Sequence, residues 1–135
     1  MLTPFTYRDL VVWKQSTDLA EQCYQATASF PKSEFYGLTG QLRRASVSIP
    51  SNVAEGHGRR STKAYLNHVS IAIGSQAEFA TCFELAARLG FVDEGSRKRV
   101  VALSDSVGRL LYGLHRALKR KLAEKKRTRS ATPKP

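Results

Sequence analysis

Positively charged side chains are the groups in this sequence with the clearest chemistry, and they gather at its carboxyl end. The chain has 22 Lys or Arg and 11 Asp or Glu, a net charge of +11. From His115 to Pro135 there are nine Lys or Arg and one acid, or +8, which leaves +3 for residues 1–114. This cationic C-terminal arm on a nearly balanced body suggests an anionic partner. A solvated helix end that aids solubility is the alternative explanation.

Phosphate neutralisation by this arm would bind nucleic acid, either RNA or DNA. Such contacts hold a strand in place without reading its sequence. Arg59 and Arg60 could contribute, because they stand just before a predicted helix start, where free backbone donors favour anions. A capped turn with two solvated arginines is the simpler alternative. The candidate nucleic-acid-binding residues are Arg59, Arg60, Arg116, Lys119, Arg120, Lys121, Lys125, Lys126, Arg127 and Arg129.

A second basic run and two tyrosines are weaker candidates for the same chemistry. The run Arg97-Lys98-Arg99 opens the predicted last helix, where the helix dipole makes cations mildly unfavourable. Either an anionic ligand or plain solvation would explain that placement. Tyr65 and Tyr112 could stack on bases, but tyrosines at helical spacing are more often part of a core.

Catalytic and metal-binding residues do not form a recognisable set in the sequence. The three histidines, at 57, 68 and 115, are scattered, and no HxxxH or ExxH spacing is present. None lies at a useful spacing from Glu55 or Glu78 on one helix face. The tripeptide Gly56-His57-Gly58 follows a helix rather than a strand, so it is no nucleotide-binding motif. We therefore predict no enzymatic activity, no metal and no cofactor.

Four amphipathic helices would position these groups. Apolar residues at spacings of three and four predict helices over about residues 7–29, 34–55, 61–89 and 96–125. The first helix should bury the face from Leu10 and Trp13 to Tyr24 and Thr27, and the second the stripe from Leu38 to Val53. Short turns between long helices make neighbours antiparallel. The prediction is an all-α, up-down-up-down antiparallel four-helix bundle over residues 1–126, followed by a disordered basic tail over 127–135.

Helix ends and one interruption can be predicted from residue types. Ser33 and Ser61 are good caps for the second and third helices. Gly56 or Gly58 could take the left-handed conformation that ends the second helix, and Gly90 closes the third. Pro50 falls inside the second helix, where it removes a backbone donor and should cause a kink or a break.

Helices three and four carry more apolar side chains than one bundle core needs. A monomer that exposed all of them would present an unusually large apolar patch, so self-association is expected. The apolar residues that the predicted core does not use are Ile71, Cys82, Leu85, Leu111, Leu118 and Leu122.

The segment QLRRASVSIPSNVAEGHGR, residues 41–59, closely resembles the signature of the bacterial four helix bundle protein family. The members are also called 23S rRNA-intervening-sequence proteins. The resemblance covers roughly residues 5–120. Other segments similar to the family's marks are Tyr7-Arg-Asp-Leu-Val-Val-Trp13, Phe30-Pro31, Glu34, Tyr36-Gly37-Leu38, Ile71-Ala-Ile-Gly-Ser75 and Glu78.

The resemblance implies a four-helix bundle assembled as a homopentamer around a central channel, without enzymatic activity. A relative in fold is the accessory variability protein of diversity-generating retroelements, a basic ring that binds nucleic acid and a reverse transcriptase. The molecular role of the intervening-sequence branch is poorly defined. The basic extension after Leu122 is not implied by the family and is peculiar to this chain.

The polar residues of the family motif have a structural interpretation. Asn52 and Glu55 would help a proline-interrupted helix to end, and Arg43 or Arg44 would pair with Glu78 across helices, because buried charges must be matched. The motif residues to which we assign structural roles are Arg43, Arg44, Pro50, Asn52, Glu55, Gly56 and Glu78.

The leading hypothesis is a non-enzymatic, oligomeric bundle that binds nucleic acid, with RNA favoured, through its basic arm. The alternative is a protein-interaction scaffold that docks an acidic partner, such as a reverse transcriptase or another nucleic-acid enzyme. No secretory signal is visible, and no apolar run approaches the ~20 residues of a membrane span. Cys23 and Cys82 resemble buried free thiols in a reducing compartment. We therefore expect a cytoplasmic protein without membrane association.

Overall fold

A computed structural model describes residues 5–131 and contains four α-helices and two short 3-10 turns. Each helix packs against the next one in the chain, and the first also packs against the last. No strand occurs within this range. The predicted all-α, up-down-up-down four-helix bundle is confirmed. The elements are the turns Tyr7–Asp9 and Lys32–Glu34 and the helices α1 (Val11–Thr27), α2 (Leu38–Gly58), α3 (Thr62–Arg88) and α4 (Glu94–Ala131).

The core lies where the apolar stripes of the four helices meet. On α2 the predicted stripe is confirmed, since Leu38, Val53 and the stripe residues between them are buried. On α1 the predicted face is wrong by about one residue as far as Tyr24, whereas Thr27 at its end is buried as predicted. Val12 and Leu19 are buried there, whereas Tyr24 is 46% exposed.

Buried hydroxyl groups explain the error on α1. Ser16 and Thr27 lie on the buried face and donate hydrogen bonds to carbonyl oxygens of their own helix, Ser16 to Trp13 at 3.2 Å and Thr27 to Cys23 at 2.8 Å. Because these hydroxyls are satisfied locally, their burial costs little. A hydropathy pattern counts Ser16 as polar, so the predicted face lay about one residue away from it, although it included Thr27. Cys23 is a buried free thiol, as predicted, and burial raises its pKa to about 11.

Two residues that were predicted to lie on the surface for self-association belong instead to the core. Leu111 is 0% exposed and Leu118 is 7% exposed, so the assignment of both to an intersubunit surface is wrong. Because α4 packs against both α3 and α1, its buried face is wider than one stripe. Ile71 and Leu85 do lie on the surface, 53% and 47% exposed.

The second helix begins later and ends later than predicted. Lys32–Glu34 form a separate 3-10 turn, and α2 starts at Leu38, so Ser33 does not cap it. Instead the Glu34 carboxylate accepts a long hydrogen bond of 3.5 Å from the Leu38 backbone N–H. The helix then runs past Pro50 without a break to Gly58. A bend at Pro50 stays a prediction.

Glycines act differently in the two places where a helix end was predicted. Gly56 and Gly58 are helical, and Gly90, with φ +81°, is the one described residue with a positive φ. The end predicted at Gly90 for the third helix is therefore confirmed, and the left-handed end predicted at Gly56 or Gly58 for the second is wrong. Ser61 caps α3 as expected, since its hydroxyl accepts from the Ala64 backbone N–H.

The last helix is longer than its apolar pattern. α4 continues to Ala131, six residues beyond the predicted end at Lys125, so residues 127–131 of the predicted disordered tail are helical. The cause is composition, because Ala, Lys, Arg and Glu are strong helix formers and no Gly or Pro interrupts the run. The rest of the predicted tail, 132–135, lies outside the described residues.

Candidate nucleic-acid interface

A groove opens at the end of the bundle where α3 begins and α4 passes beyond the core. Its volume is about 390 Å³. We call it the basic groove, because five of the eight lining residues are cationic and none is acidic. The lining residues are Arg60, Ser61, Thr62, Lys63, Leu122, Lys125, Lys126 and Arg129.

The antiparallel packing of α3 and α4 creates this groove. Arg59 takes an extended conformation after α2, and Ser61 then caps α3, which fixes the direction of the new helix. One direct bond joins the two walls: the Lys125 ammonium donates to the Thr62 hydroxyl at 2.7 Å. Cations from two distant parts of the sequence therefore lie side by side.

The charge of the basic groove is not neutralised by the protein. Within residues 5–131, the ion pairs involve Glu84 with Arg88 and Arg97, Glu94 with Arg97, and Glu55 with His68. None includes a cation of the groove. Clustered cations without nearby carboxylates produce a positive potential that attracts anions.

Most of the arm's predicted binding residues follow α4 along its exposed surface. Arg60, Lys125, Lys126 and Arg129 meet in the groove, whereas Arg59 is exposed but does not line it. Lys63 was missed. Its position in the first turn of α3 opposite the end of α4 could have been inferred from the predicted antiparallel order. The remaining predicted cations lie exposed on α4 outside the groove: Arg116, Lys119, Arg120, Lys121 and Arg127.

A second groove lies between α3 and α4, about 550 Å³ in volume and nearer the middle of the helices. Tyr112 is 52% exposed in its lining. The other candidate for base stacking, Tyr65, is half-buried with its ring edge-on to His57, and burial raises its pKa. We call this the tyrosine groove; it is lined by Gln76, Asp105, Gly108, Arg109, Tyr112 and Arg116.

The arginines of the family motif do not pair with Glu78. Among the described residues no ion pair joins Arg43 or Arg44 to Glu78, so this prediction is wrong. Arg43 turns toward α1 instead, where its Nε donates to the Thr27 hydroxyl at 2.9 Å and its guanidinium lies 4.5 Å from the Tyr24 ring centroid. These contacts satisfy the cation without a carboxylate.

Asn52 and Glu55 connect α2 to α3 rather than ending α2, which continues beyond both. The Asn52 amide donates to the Ser48 carbonyl at 2.9 Å, and its oxygen lies 3.0 Å from His68 Nδ1. Glu55 lies 3.8 Å from the same nitrogen. The sequence missed this contact because His68 is on another helix, so no spacing within one helix could reveal it.

No group of His, Cys, Asp and Glu in the described range could hold a metal ion. None of the helices there is long and apolar enough to cross a bilayer.

The fold and its surface define a small helical-bundle protein with a strongly basic end. The chain belongs to the family of 23S rRNA-intervening sequence proteins, whose pattern it matches over residues 8–113. The whole α4 wall of the basic groove, from Leu122 to Arg129, lies beyond the matched residues. The groove therefore combines a family helix with an extension outside the family pattern.

A solved structure has the same fold. It is a crystal structure from Bacteroides thetaiotaomicron of a protein with unknown function from the S23 ribosomal protein family. The two chains are 20% identical with a TM-score of 0.70, and the match covers 78% of this chain and 98% of that chain. No curated protein sequence matches the chain.

Proposed function

We propose that this protein is a non-enzymatic, self-associating bundle that binds nucleic acid, RNA in particular, mainly through phosphate contacts. The observation that carries the proposal is the basic groove. There Arg60 and Lys63 of one helix start meet Lys125, Lys126 and Arg129 of α4, with no acid in the lining. The groove argues against a tail that serves only solubility, because solubility does not require cations of two helices to converge.

The mechanism is counterion release. Each phosphate neutralised by a Lys or Arg frees condensed counterions, and for single strands this adds about 0.7 to the slope of log affinity against log salt. The exposed cations from Arg116 to Lys121 extend the positive surface from the basic groove along α4. A strand could therefore follow the helix and end in the groove.

Self-association would strengthen binding. Ile71 and Leu85 leave apolar surface on the outer side of α3, and a closed assembly would cover it. Equivalent arms would then lie on one particle, where their potentials add. The homopentamer implied by the family resemblance would carry five such grooves.

The test is the salt dependence of binding to a short single-stranded RNA, followed by fluorescence anisotropy. The groove variant carries Lys125→Gln, Lys126→Gln and Arg129→Gln. Loss of three phosphate contacts should lower the log–log slope by about 2 and weaken binding at low salt. A control variant carries Arg8→Gln, Lys14→Gln and Lys32→Gln, which removes the same charge at exposed positions outside the groove and outside the other candidate binding residues. It should retain nearly the full slope.

Equal effects of the two triple variants would mean that net charge, not the groove, determines binding. Absence of salt-dependent RNA binding by the unaltered protein would reject the proposal. The alternative of docking to an acidic protein would then explain the charge.

A further inference from the structure

We propose that the tyrosine groove binds a nucleobase of a single strand, with Tyr112 as the stacking surface. This inference rests on the proposed function and deepens it, because it specifies single-stranded over duplex nucleic acid. In a duplex the bases are stacked on one another, so only a strand with free bases could use an exposed aromatic ring.

The first argument is the position of the ring. Tyr112 is 52% exposed, and none of the aromatic or cation–π contacts among the described residues includes it. Arg109 and Arg116 stand three residues before it and four residues after it, so all three share one face of α4. An aromatic ring between two guanidinium groups is suited to a base with phosphates on either side.

The second argument is that the floor of the groove is fixed. The Gln76 amide donates from Nε2 to the Ser104 carbonyl at 3.1 Å and to the Ser104 hydroxyl at 3.2 Å. Gly108 leaves room for that amide, since a Cβ there would lie 3.2 Å from Gln76 Nε2. The floor is thus a flat polar group held before any ligand arrives, which lowers the entropic cost of binding.

The third argument concerns charge. Asp105 lines the tyrosine groove together with Arg109 and Arg116, so its carboxylate offsets one of the two cations and leaves a lining of low net charge that suits a neutral base. The basic groove, by contrast, has no acid in its lining. The two grooves therefore fit different parts of one nucleotide chain, a base at Tyr112 and most of the phosphates further along α4.

The separation of the grooves fits a continuous strand. Tyr112 and Leu122 are ten residues apart, about 15 Å at the helical rise of 1.5 Å per residue. Arg116 and Lys119 lie between them, exposed, close to the Tyr112 side of the helix. A few nucleotides would span this distance with their phosphates beside cations.

The experiment compares Tyr112→Ala and Tyr112→Phe in binding to a short single-stranded RNA that carries 2-aminopurine and to the duplex of the same sequence. Tyr112→Ala should weaken single-strand binding about 5- to 100-fold and leave duplex binding nearly unchanged. Its salt slope should stay as in the unaltered protein, because no phosphate contact is lost. Tyr112→Phe should bind normally, because the ring remains.

Stacking has its own readout, the quenching of 2-aminopurine fluorescence on binding. Quenching should persist in Tyr112→Phe and vanish in Tyr112→Ala. The control Tyr36→Ala removes a tyrosine that is 90% exposed on the connection between α1 and α2 and should change neither measurement. Normal salt-dependent binding together with unchanged affinity and quenching in Tyr112→Ala would overturn the inference and leave the proposed function standing. Absence of salt-dependent RNA binding by the unaltered protein would overturn both this inference and the proposed function.

Discussion

At the scale of single residues, Gly56 determines how closely α2 and α3 approach each other. A Cβ at this position would lie 2.8 Å from His68 Cβ and 2.8 Å from Tyr65 Cδ1. Real Cβ atoms do not come so near to a packed neighbour. Gly56 is helical with a negative φ, so the glycine is required for space and not for backbone conformation.

Gly56→Ala should therefore destabilise the fold even though alanine favours helices. Overpacking of a closed contact costs about 1–3 kcal/mol, which exceeds the gain in helix propensity of up to about 1 kcal/mol. Urea unfolding followed by circular dichroism measures the difference. Gly58→Ala is the matched control two residues further on, where an added Cβ meets nothing within 4 Å. A Gly56→Ala protein at least as stable as the control would show that α3 can move away without cost.

At the scale of elements, the length of α4 separates its structural part from its basic part. The helix has 38 residues and its neighbour α3 has 27. After Leu118 the described side chains are exposed except for Leu122, which is half-buried. The last turns are thus supported mainly by helix propensity and by cations near the negative end of the helix dipole.

Truncation after Leu118 should leave a folded bundle that binds RNA poorly. The deletion removes Lys119 through Lys134, which is eight cations and one acid, while the buried Leu111 and Leu118 remain. Thermal melting should stay cooperative, and anisotropy should show affinity reduced by orders of magnitude with a flatter salt slope. A chain truncated after Ala131 loses one cation, Lys134, and serves as the control. If the chain truncated after Leu118 folds and binds RNA with an undiminished salt slope, the arm only aids solubility.

The spacing of apolar residues was sufficient to predict the four helices and their order, and it predicted the buried stripe of α2 residue by residue. It failed where a buried group is polar, as at Ser16, or where a glycine serves packing, as at Gly56. Such roles depend on a neighbouring helix and leave no periodic signal in one helix.

The candidate site was predicted only in part, because some of its contacts also depend on a neighbouring helix. Charge content identified the arm and Arg60, because a run of cations is visible in the sequence. The position of Lys63 in the same groove as Lys125, and the contact of His68 with Asn52, depend on the register between helices. Residue spacing within a single helix does not contain that register.

At the scale of the whole molecule, the remaining exposed apolar residues define the surface for the proposed self-association. Ile71 and Leu85 lie on the outer side of α3, fourteen positions apart in the sequence, which is close to four helical turns and therefore one face. A groove lined by Ala80, Thr81, Glu84, Leu85 and Arg88 lies on the same helix.

Ile71→Asp and Leu85→Asp should reduce the size of the assembly without loss of helical circular dichroism. Each places a charge on a surface that only a second subunit would bury. Leu111→Asp should instead unfold the bundle, because Leu111 is 0% exposed and an unpaired buried charge is costly. Light scattering with circular dichroism distinguishes these outcomes. A 15.0 kDa monomer at micromolar concentration for the unaltered protein would contradict self-association.

The exposed end of α4 places like charges one helical turn apart. Arg116 with Arg120, Lys121 with Lys125, and Lys125 with Arg129 are each four residues apart. Such pairs oppose helix formation by about 0.2–0.5 kcal/mol each, and dissolved salt screens them. Salt should therefore extend the ordered helix while it weakens phosphate contacts, so folding of this segment and attraction to a polyanion respond to ionic strength with opposite signs. A bound polyanion would relieve the same repulsion as salt, and the arm would become more helical as it is occupied.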